Sequence, residues 1–348
     1  MNNKVSRIMI ISAINKGLYA PKSDLKRNIR NLTDLGVYFA KGRFQKDFFK
    51  LAQRILSNEN SIYYELISNV FDNVDQNIIK TFGVNIGLNS WTYGVNKIRE
   101  YEKKNNHRVP WTIEFDFQNT AENPMTASEI TKVIEEGKEI GIYTYFFFTR
   151  YKTSNLDSFL QIFRENPECA FIIHAHAESI NKIHAQRLRE YGNAVISIYV
   201  DDSNPSPQLT KAMKMLLENK CLFGASIVFD DDNIDSIVNH KWIEEIRKLN
   251  CIFAFLIKSE KCSLESEKAV NAYVKNAKTN QIYPLFLIDF YEDISYISQI
   301  ISDKSCFLKI LHDGTVVSTE YDMISDFNIK YENLSTILSQ IMPKASCL

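Results

Sequence analysis

The chain has 348 residues, 45% hydrophobic and 24% charged, enough for one large domain with appendages or for two domains. Forty-one basic residues stand against 42 acidic ones, a net charge of −1 that excludes the broad basic footprint of a nucleic-acid or anionic-membrane binder. No apolar run reaches the roughly 18 residues that span a bilayer, and the short apolar stretch near the N-terminus ends at Asn15 and Lys16 without a small-residue cleavage site, so the expected location is cytoplasmic.

Residues 1 to about 105 read as mainly helical. Phe44, Phe48, Phe49, Leu51, Ala52 and Ile55 fall at helical spacing, the segment SIYYELISNVFDNVDQNIIKTFGVNIGLN continues the pattern, and Lys103 to His107 is a polar break. Helix surfaces this apolar need cover, so the extension is expected to pack on the strands and helices C-terminal to it.

From Trp111 to Arg150 the chain reads as strand, loop, helix, strand. Two β-rich runs, 111–117 and 142–148, flank a helix with its own signals. Thr126 and Glu129 form a T-x-x-E capping box, and Gly141 is placed to close the far end. Such a unit makes a parallel strand pair with a right-handed crossover, and chemistry in these folds collects at the carboxyl ends of strands, here 118–125 and Thr149 onward.

Strands and helices then alternate: helix 155–165, strand 169–174, helix 178–190, strand 194–200, a break at DDSNPSP, helix 208–219, strand 222–229, helix 234–249, strand 252–257, helix 264–278. A strand at 285–290 leading into 291–302, a hairpin turning on His312-Asp313-Gly314-Thr315 and a helix at 332–341 complete the chain. The expected fold is α/β, an open (β/α)6 partial TIM barrel, with a helical N-terminal extension (1–105), the barrel (106–283) and a small C-terminal hairpin and helix (284–348).

The runs PWTIEFDF and TASEITKVIEEGKEIGIYTYFFFT resemble the first βαβ unit of radical SAM enzymes, in particular a bacterial group with a helical N-terminal extension and a SPASM-like C-terminal hairpin. FDNVDQNIIKTFGVNIGLNSWTYGVNKIRE resembles that extension, MLLENKCLFGASIVFDDDNIDSI the fifth strand and its neighbours, and FLKILHDGTVVSTEYD the hairpin. The resemblance implies a C-x-x-x-C-x-x-C loop after the first strand, whose thiolates hold a four-iron cluster that binds S-adenosylmethionine. Here that loop is Gln118-Asn119-Thr120-Ala121-Glu122-Asn123-Pro124-Met125, with no cysteine. The family's Gly-Gly-Glu-Pro turn is replaced by Thr149-Arg150-Tyr151-Lys152. Tyr199 stands where homologues tend to place a glutamate, and Thr319 where an auxiliary-cluster cysteine often lies. The expectation is therefore no iron-sulfur cluster, no use of S-adenosylmethionine for radical chemistry, and no catalytic residue carried over.

Six cysteines, at 169, 221, 251, 262, 306 and 347, lie far apart without a C-x-x-C pair, the usage of buried small hydrophobes in a reducing compartment. Alternation puts Glu114 and Asp116 on one face of the first strand and Ile113, Phe115 and Phe117 on the other. The carboxylates read as an internal polar network or as candidate site residues. His174 and His176 form an H-x-H at the end of the third strand, a way of presenting two nitrogen ligands to a divalent metal. Asp116, Asp201, Asp230, Asp231 and Asp289 are the carboxylates that would complete such a site. The bland account, structural or exposed histidines, competes with it. Asp230-Asp231-Asp232 lacks the spacing of a calcium loop and reads as a strand end that caps the next helix. Arg150 and Lys152 are candidate binders of a phosphate or carboxylate, while His184 and His240, placed in helices, and His312, placed in the turn, need no special role.

The candidate pocket is thus Glu114, Asp116, Arg150, His174, His176 and Tyr199. The function expected from it is that of a cluster-less radical SAM-like binding or regulatory protein, a pseudoenzyme, with an active radical SAM homologue or its peptide substrate as partner. The alternative from another class is metal-dependent hydrolysis through His174, His176 and strand-end carboxylates. A third is retained S-adenosylmethionine or nucleotide binding without a cluster.

Overall fold

In a computed structural model, the protein is described over residues 11–12, 15, 25–40, 43–149, 156–201, 206–302, 304–318 and 323–344. Arg150, Tyr151, Lys152, Asp202, Thr319 and Cys347 lie outside the described residues, as do the side chains of Phe44 and Phe48. The extension forms α1 (Leu25–Phe39), α2 (Arg43–Leu56), α3 (Tyr63–Asn73), α4 (Gln76–Val84), a π-helical segment (Asn85–Gly94) and α5 (Val95–Asn105). The alternating part runs β1 (Thr112–Asp116), α6 (Ala127–Ile140), β2 (Thr144–Phe148), α7 (Leu156–Glu165), β3 (Ala170–Ala175), α8 (Lys182–Tyr191), β4 (Ala194–Tyr199), α9 (Pro207–Glu218) and β5 (Phe223–Phe229). It continues as α10 (Ile234–Val238), α11 (Lys241–Lys248), β6 (Phe253–Lys258), α12 (Leu264–Thr279), β7 (Phe286–Asp289) and α13 (Phe290–Ser302). The C-terminal part is β8 (Leu308–Leu311), β9 (Thr315–Ser318), β10 (Met323–Asn328) and α14 (Leu334–Ile341).

Most boundaries agree with the sequence patterns to within two residues because the end signals are used as read. Thr126 and Glu129 bond reciprocally at the start of α6, and Gly141 closes it at φ 110°. Asn181, Ser206, Ser263 and Asn333 each accept a backbone N–H at the start of α8, α9, α12 and α14. One reading is corrected: the helix expected over 234–249 is two helices, broken at Asn239 and His240. His240 is left-handed (φ 67°) and precedes α11 instead of lying within a helix; no glycine or proline marks the break.

The chain divides into two compact units. One comprises residues 1–81, 180–192 and 196–292. It holds parallel strands in the order β4-β5-β6-β7, and its N-terminal helices share a small core of Ile29, Leu56 and Tyr64. Within it Arg189 pairs with Asp75 at 2.8 Å, and Trp242 donates from Nε1 to the carbonyl of Val200.

The other unit comprises residues 82–179, 193–195 and 293–348. Its strand order is β10-β9-β8-β1-β2-β3, with β8, β1, β2 and β3 parallel and the last two strands antiparallel. β8 is thus the parallel neighbour of β1, in register Glu114 to Lys309, a pairing that the hairpin's sequence does not announce. The helix-covered face is aromatic: Phe115, Phe117, Tyr145, Phe147 and Phe171 stack on one another and on Phe159 and Phe163 of α7, with centroids 4.2 to 6.3 Å apart. The π-helical segment straps the turn into β3, since Asn85 donates to the carbonyls of Pro167 and Cys169 and Asn89 to that of Glu168. Glu102 of α5 is buried and saturated: it accepts from the Val109 N–H, the Ser302 hydroxyl and Lys344 Nζ at 2.8 to 3.0 Å.

The π-helical segment crosses Gly141 at backbone contact. A Cβ on Gly94 would stand 2.4 Å from the Gly141 carbonyl oxygen, whereas one on Gly87 would meet nothing within 4 Å. Gly94→Ala is expected to cost about 1–3 kcal/mol, and Gly87→Ala to leave stability level or raised by up to about 1 kcal/mol. Urea denaturation of both variants checks this, and equal losses would contradict it.

Candidate functional site

The aromatic face of β1 leaves Thr112, Glu114 and Asp116 on the opposite face, joined there by Phe146 and Phe148 of β2, His174 of β3 and Lys309 of β8. Glu114 is fully buried and Asp116 is 9% exposed. Lys309 Nζ lies 3.4 Å from Glu114 Oε1 and 3.8 Å from Asp116 Oδ2, and its own side chain is 17% exposed. Asp116 also accepts from the Gln118 N–H at 2.9 Å, which fixes the start of the loop.

Burial pushes the Glu114 carboxyl up from its ordinary 4.5 to about 7; Lys309 pulls it back and the neighbouring Asp116 adds to the rise. Neither oxygen of Glu114 makes a hydrogen bond among the described residues. His174 is fully buried, its ring stacked on Phe148 with centroids 4.2 Å apart and planes within 8°, and burial alone lowers its pKa to about 3. At neutral pH it is an uncharged ring inside an aromatic stack. His176 lies just past the end of β3 and is half-buried.

Of the carboxylates that the sequence suggested as metal ligands, Asp116, Asp230 and Asp231 are engaged otherwise, Asp116 with Lys309. Asp231 accepts from the N–H and hydroxyl of Ser263 (3.1 and 2.7 Å) at the head of α12, and Asp230 accepts from the Asp232 N–H in a local turn. Asp289 closes β7 and is buried, Tyr199 closes β4 and is 6% exposed, and Asp201 lies just past β4; all three belong to the unit without β1. Among the described residues no three or more His, Cys, Asp or Glu side chains converge as a metal site. Lys309 is the residue that sequence reasoning missed. The available signal was a single cation inside the apolar strand FLKIL, but its partner is decided by the β1–β8 pairing.

The loop from β1 to α6 is held by the C-terminal hairpin. The Met125 N–H donates to the His312 carbonyl (2.7 Å), the His312 ring bonds through Nδ1 to the Asn119 carbonyl (2.8 Å), and Lys330 Nζ donates to the carbonyls of Asn123 and Pro124 (3.0 and 3.4 Å). The His312 ring also meets Phe117 edge to face at 5.2 Å. A four-iron cluster needs thiolates at this place; the loop offers none, so its residues do not fit the group. Of the five described cysteines, Cys169, Cys221, Cys251 and Cys306 each stand just before a strand, at the amino end of β3, β5, β6 and β8. Burial raises the Cys169 thiol and pushes those of Cys221 and Cys251 up to about 12. Cys221 donates to the Ala185 carbonyl and Cys306 to the sulfur of Met342. Cys262, after β6, is half-buried and bonds to the Ser263 carbonyl.

The sequence matches no family model and no curated protein. Among solved structures it is similar in fold to Streptococcus suis SuiB, a radical SAM enzyme. The TM-score is 0.52 at 12% identity, covering 70% of this chain and 69% of SuiB. Against SuiB bound to S-adenosylmethionine the TM-score is 0.53 at 14% identity, and against SuiB bound to its precursor peptide SuiA it is 0.52 at 12%, each covering 70% of this chain and 68% of the other. At such identities the likeness is one of fold, an open α/β architecture that this chain shares with SuiB.

Proposed function

We propose that this chain is a radical SAM-like protein that has lost the iron-sulfur cluster and acts by binding, as partner of an active homologous enzyme or of the peptide such an enzyme modifies. The loop after β1 carries this reading. It lacks sulfur donors, and the carbonyls of Asn119, Asn123 and Pro124 are taken up by His312 and Lys330, so hydrogen bonds do the ordering that a metal centre would otherwise do. The thiols before β3, β5 and β6 are held protonated by burial, the wrong state for iron ligands. The solved complex of SuiB with SuiA makes a peptide the first ligand class to test. Hydrolysis at His174 and His176 has less support, because His174 lies inside an aromatic stack and lacks converging carboxylates among the described residues.

Anaerobic reconstitution with iron and sulfide is expected to leave the protein colourless, with no cluster absorbance and no 5′-deoxyadenosine formed from S-adenosylmethionine under a strong reductant. Stoichiometric cluster and reductive cleavage would refute the proposal.

On this reading Glu114 has no radical reaction to serve, and its cost to the fold is directly measurable. Its folded pKa is raised, so the folded state holds a proton that the unfolded chain releases from about pH 4.5. The carboxyl's contribution is fully present below that pH and is lost as pH rises through about 7. The stability of the natural chain relative to Glu114→Gln is expected to fall by up to about 1.4 kcal/mol per pH unit across this window and then level off. Denaturant titrations of both proteins at several pH values read this out; a pH-independent difference would remove the buried-acid assignment.

A further inference from the structure

The break between α10 and α11 has no glycine or proline, and His240 stands at it in the left-handed region, a conformation that histidine tolerates. His240 is exposed, yet its Nδ1 hydrogen-bonds the Tyr283 hydroxyl in the turn before β7. Tyr283 in turn bonds the Tyr273 hydroxyl of α12 at 3.2 Å. The imidazole centroid lies 5.4 Å from that of Tyr273 and 6.0 Å from that of Tyr283. Both tyrosines are buried, so three side chains from three elements share one short chain of hydrogen bonds at the joint.

Counting hydrogens sets the direction of that chain. Burial raises both phenols above their ordinary 10, so each oxygen keeps its hydrogen through neutral and acidic pH. Two hydrogens then fill two contacts, provided that Nδ1 is bare. Tyr273 donates to Tyr283, Tyr283 donates to Nδ1, and the ring hydrogen sits on Nε2. A hydrogen on Nδ1 makes three for the same two contacts, and neither hydroxyl bonds any other described residue. A buried donor left open is costly, whereas an exposed imidazole can turn to water.

The surroundings leave this titration to His240. Glu244 and Arg247 of α11 act on Tyr283 through space, but they pair with each other at 3.0 Å. Lys241, next to His240 in the chain, is exposed. Along α12 the residues one turn from Tyr273, which are Ala269, Val270, Asn276 and Ala277, carry no charge. Histidine is the side chain whose charge ordinarily changes between about pH 5 and 8.

We propose that His240, Tyr283 and Tyr273 form a pH-sensitive latch on the joint between α10 and α11, closed while Nδ1 accepts from Tyr283 and opened when a proton from water occupies Nδ1. α10 is five residues long and begins at the Asp230–Asn233 turn beyond the carboxyl end of β5, so opening releases the helix that adjoins this turn. Carboxyl ends of strands are where such folds place their ligands. The latch uses no residue of the loop after β1, and it stands or falls apart from the cluster-less reading.

Nitrogen-15 NMR of full-length protein labelled at histidine tests the closed state. The His240 signals are identified by their loss in His240→Asn, which keeps a residue at home in the left-handed region. At about pH 8 the ring is expected to carry its hydrogen on Nε2 with Nδ1 bare. Backbone hydrogen exchange tests the opening through the N–H groups of Asn239, His240 and Glu244, which donate to the carbonyls of Asp235, Ile237 and His240. From about pH 8 to about pH 5, after correction for intrinsic exchange, their protection is expected to fall about threefold to tenfold in the parent, the worth of one hydrogen bond. It is expected to stay level in His240→Asn and Tyr283→Phe. A hydrogen on Nδ1 at the upper pH, unchanged protection in the parent, or an equal fall in both variants overturns the proposal. The tautomer is read on the parent, so the test holds even where Tyr283→Phe does not fold.

Discussion

β1 is buried on both faces, and each residue of Thr112–Asp116 answers to that constraint. On one side Ile113 and Phe115 enter the aromatic stack that α7 covers, an ordinary hydrophobic solution worth on the order of 2–3 kcal/mol per large side chain. On the other side two carboxylates are removed from water, which no packing can offset, and the chain supplies Lys309 from a strand almost two hundred residues away. The position of β8 beside β1, and hence of the whole hairpin, is tied to that electrostatic demand.

Placing β8 there has a second effect. It carries the His312 turn over the loop that leaves β1, and Lys330, just beyond β10, reaches the same loop. The loop is held by one backbone and three side-chain hydrogen bonds to these elements, and Cys169, Cys221, Cys251 and Cys306 lie at the amino ends of strands, where each packs as a small apolar group. The carbonyls of such a loop need partners, and His312 and Lys330 supply them for Asn119, Asn123 and Pro124.

Glu102 and Glu114, buried in a single unit, are satisfied in different ways. Each is an acid that water cannot reach, yet one is saturated and fastens α5 to residues near the C-terminus, whereas the other keeps open lone pairs beside two rings and a lysine. Burial alone therefore does not mark function. What distinguishes Glu114 is a carboxylate without hydrogen bonds among the described residues, a state that folding tolerates only at an energetic cost.

Much of this was legible in the chain itself. Strand and helix periods, the Thr126–Glu129 box and the Gly141 stop located the first βαβ unit almost to the residue, and alternation assigned Glu114 and Asp116 to the face away from the phenylalanines, because those signals act over a few neighbouring residues. The cysteine-free loop was likewise visible without coordinates. The π-helical segment, the break at His240 and the partner of Glu114 were not, since each is settled by residues distant in sequence. His174 shows the limit most clearly: its place at a strand end is a matter of pattern, but whether it binds a metal or lies as a neutral ring against Phe148 depends on the side chains that the neighbouring strand sets beside it. Long-range strand pairing decides such questions, and local sequence carries no record of it.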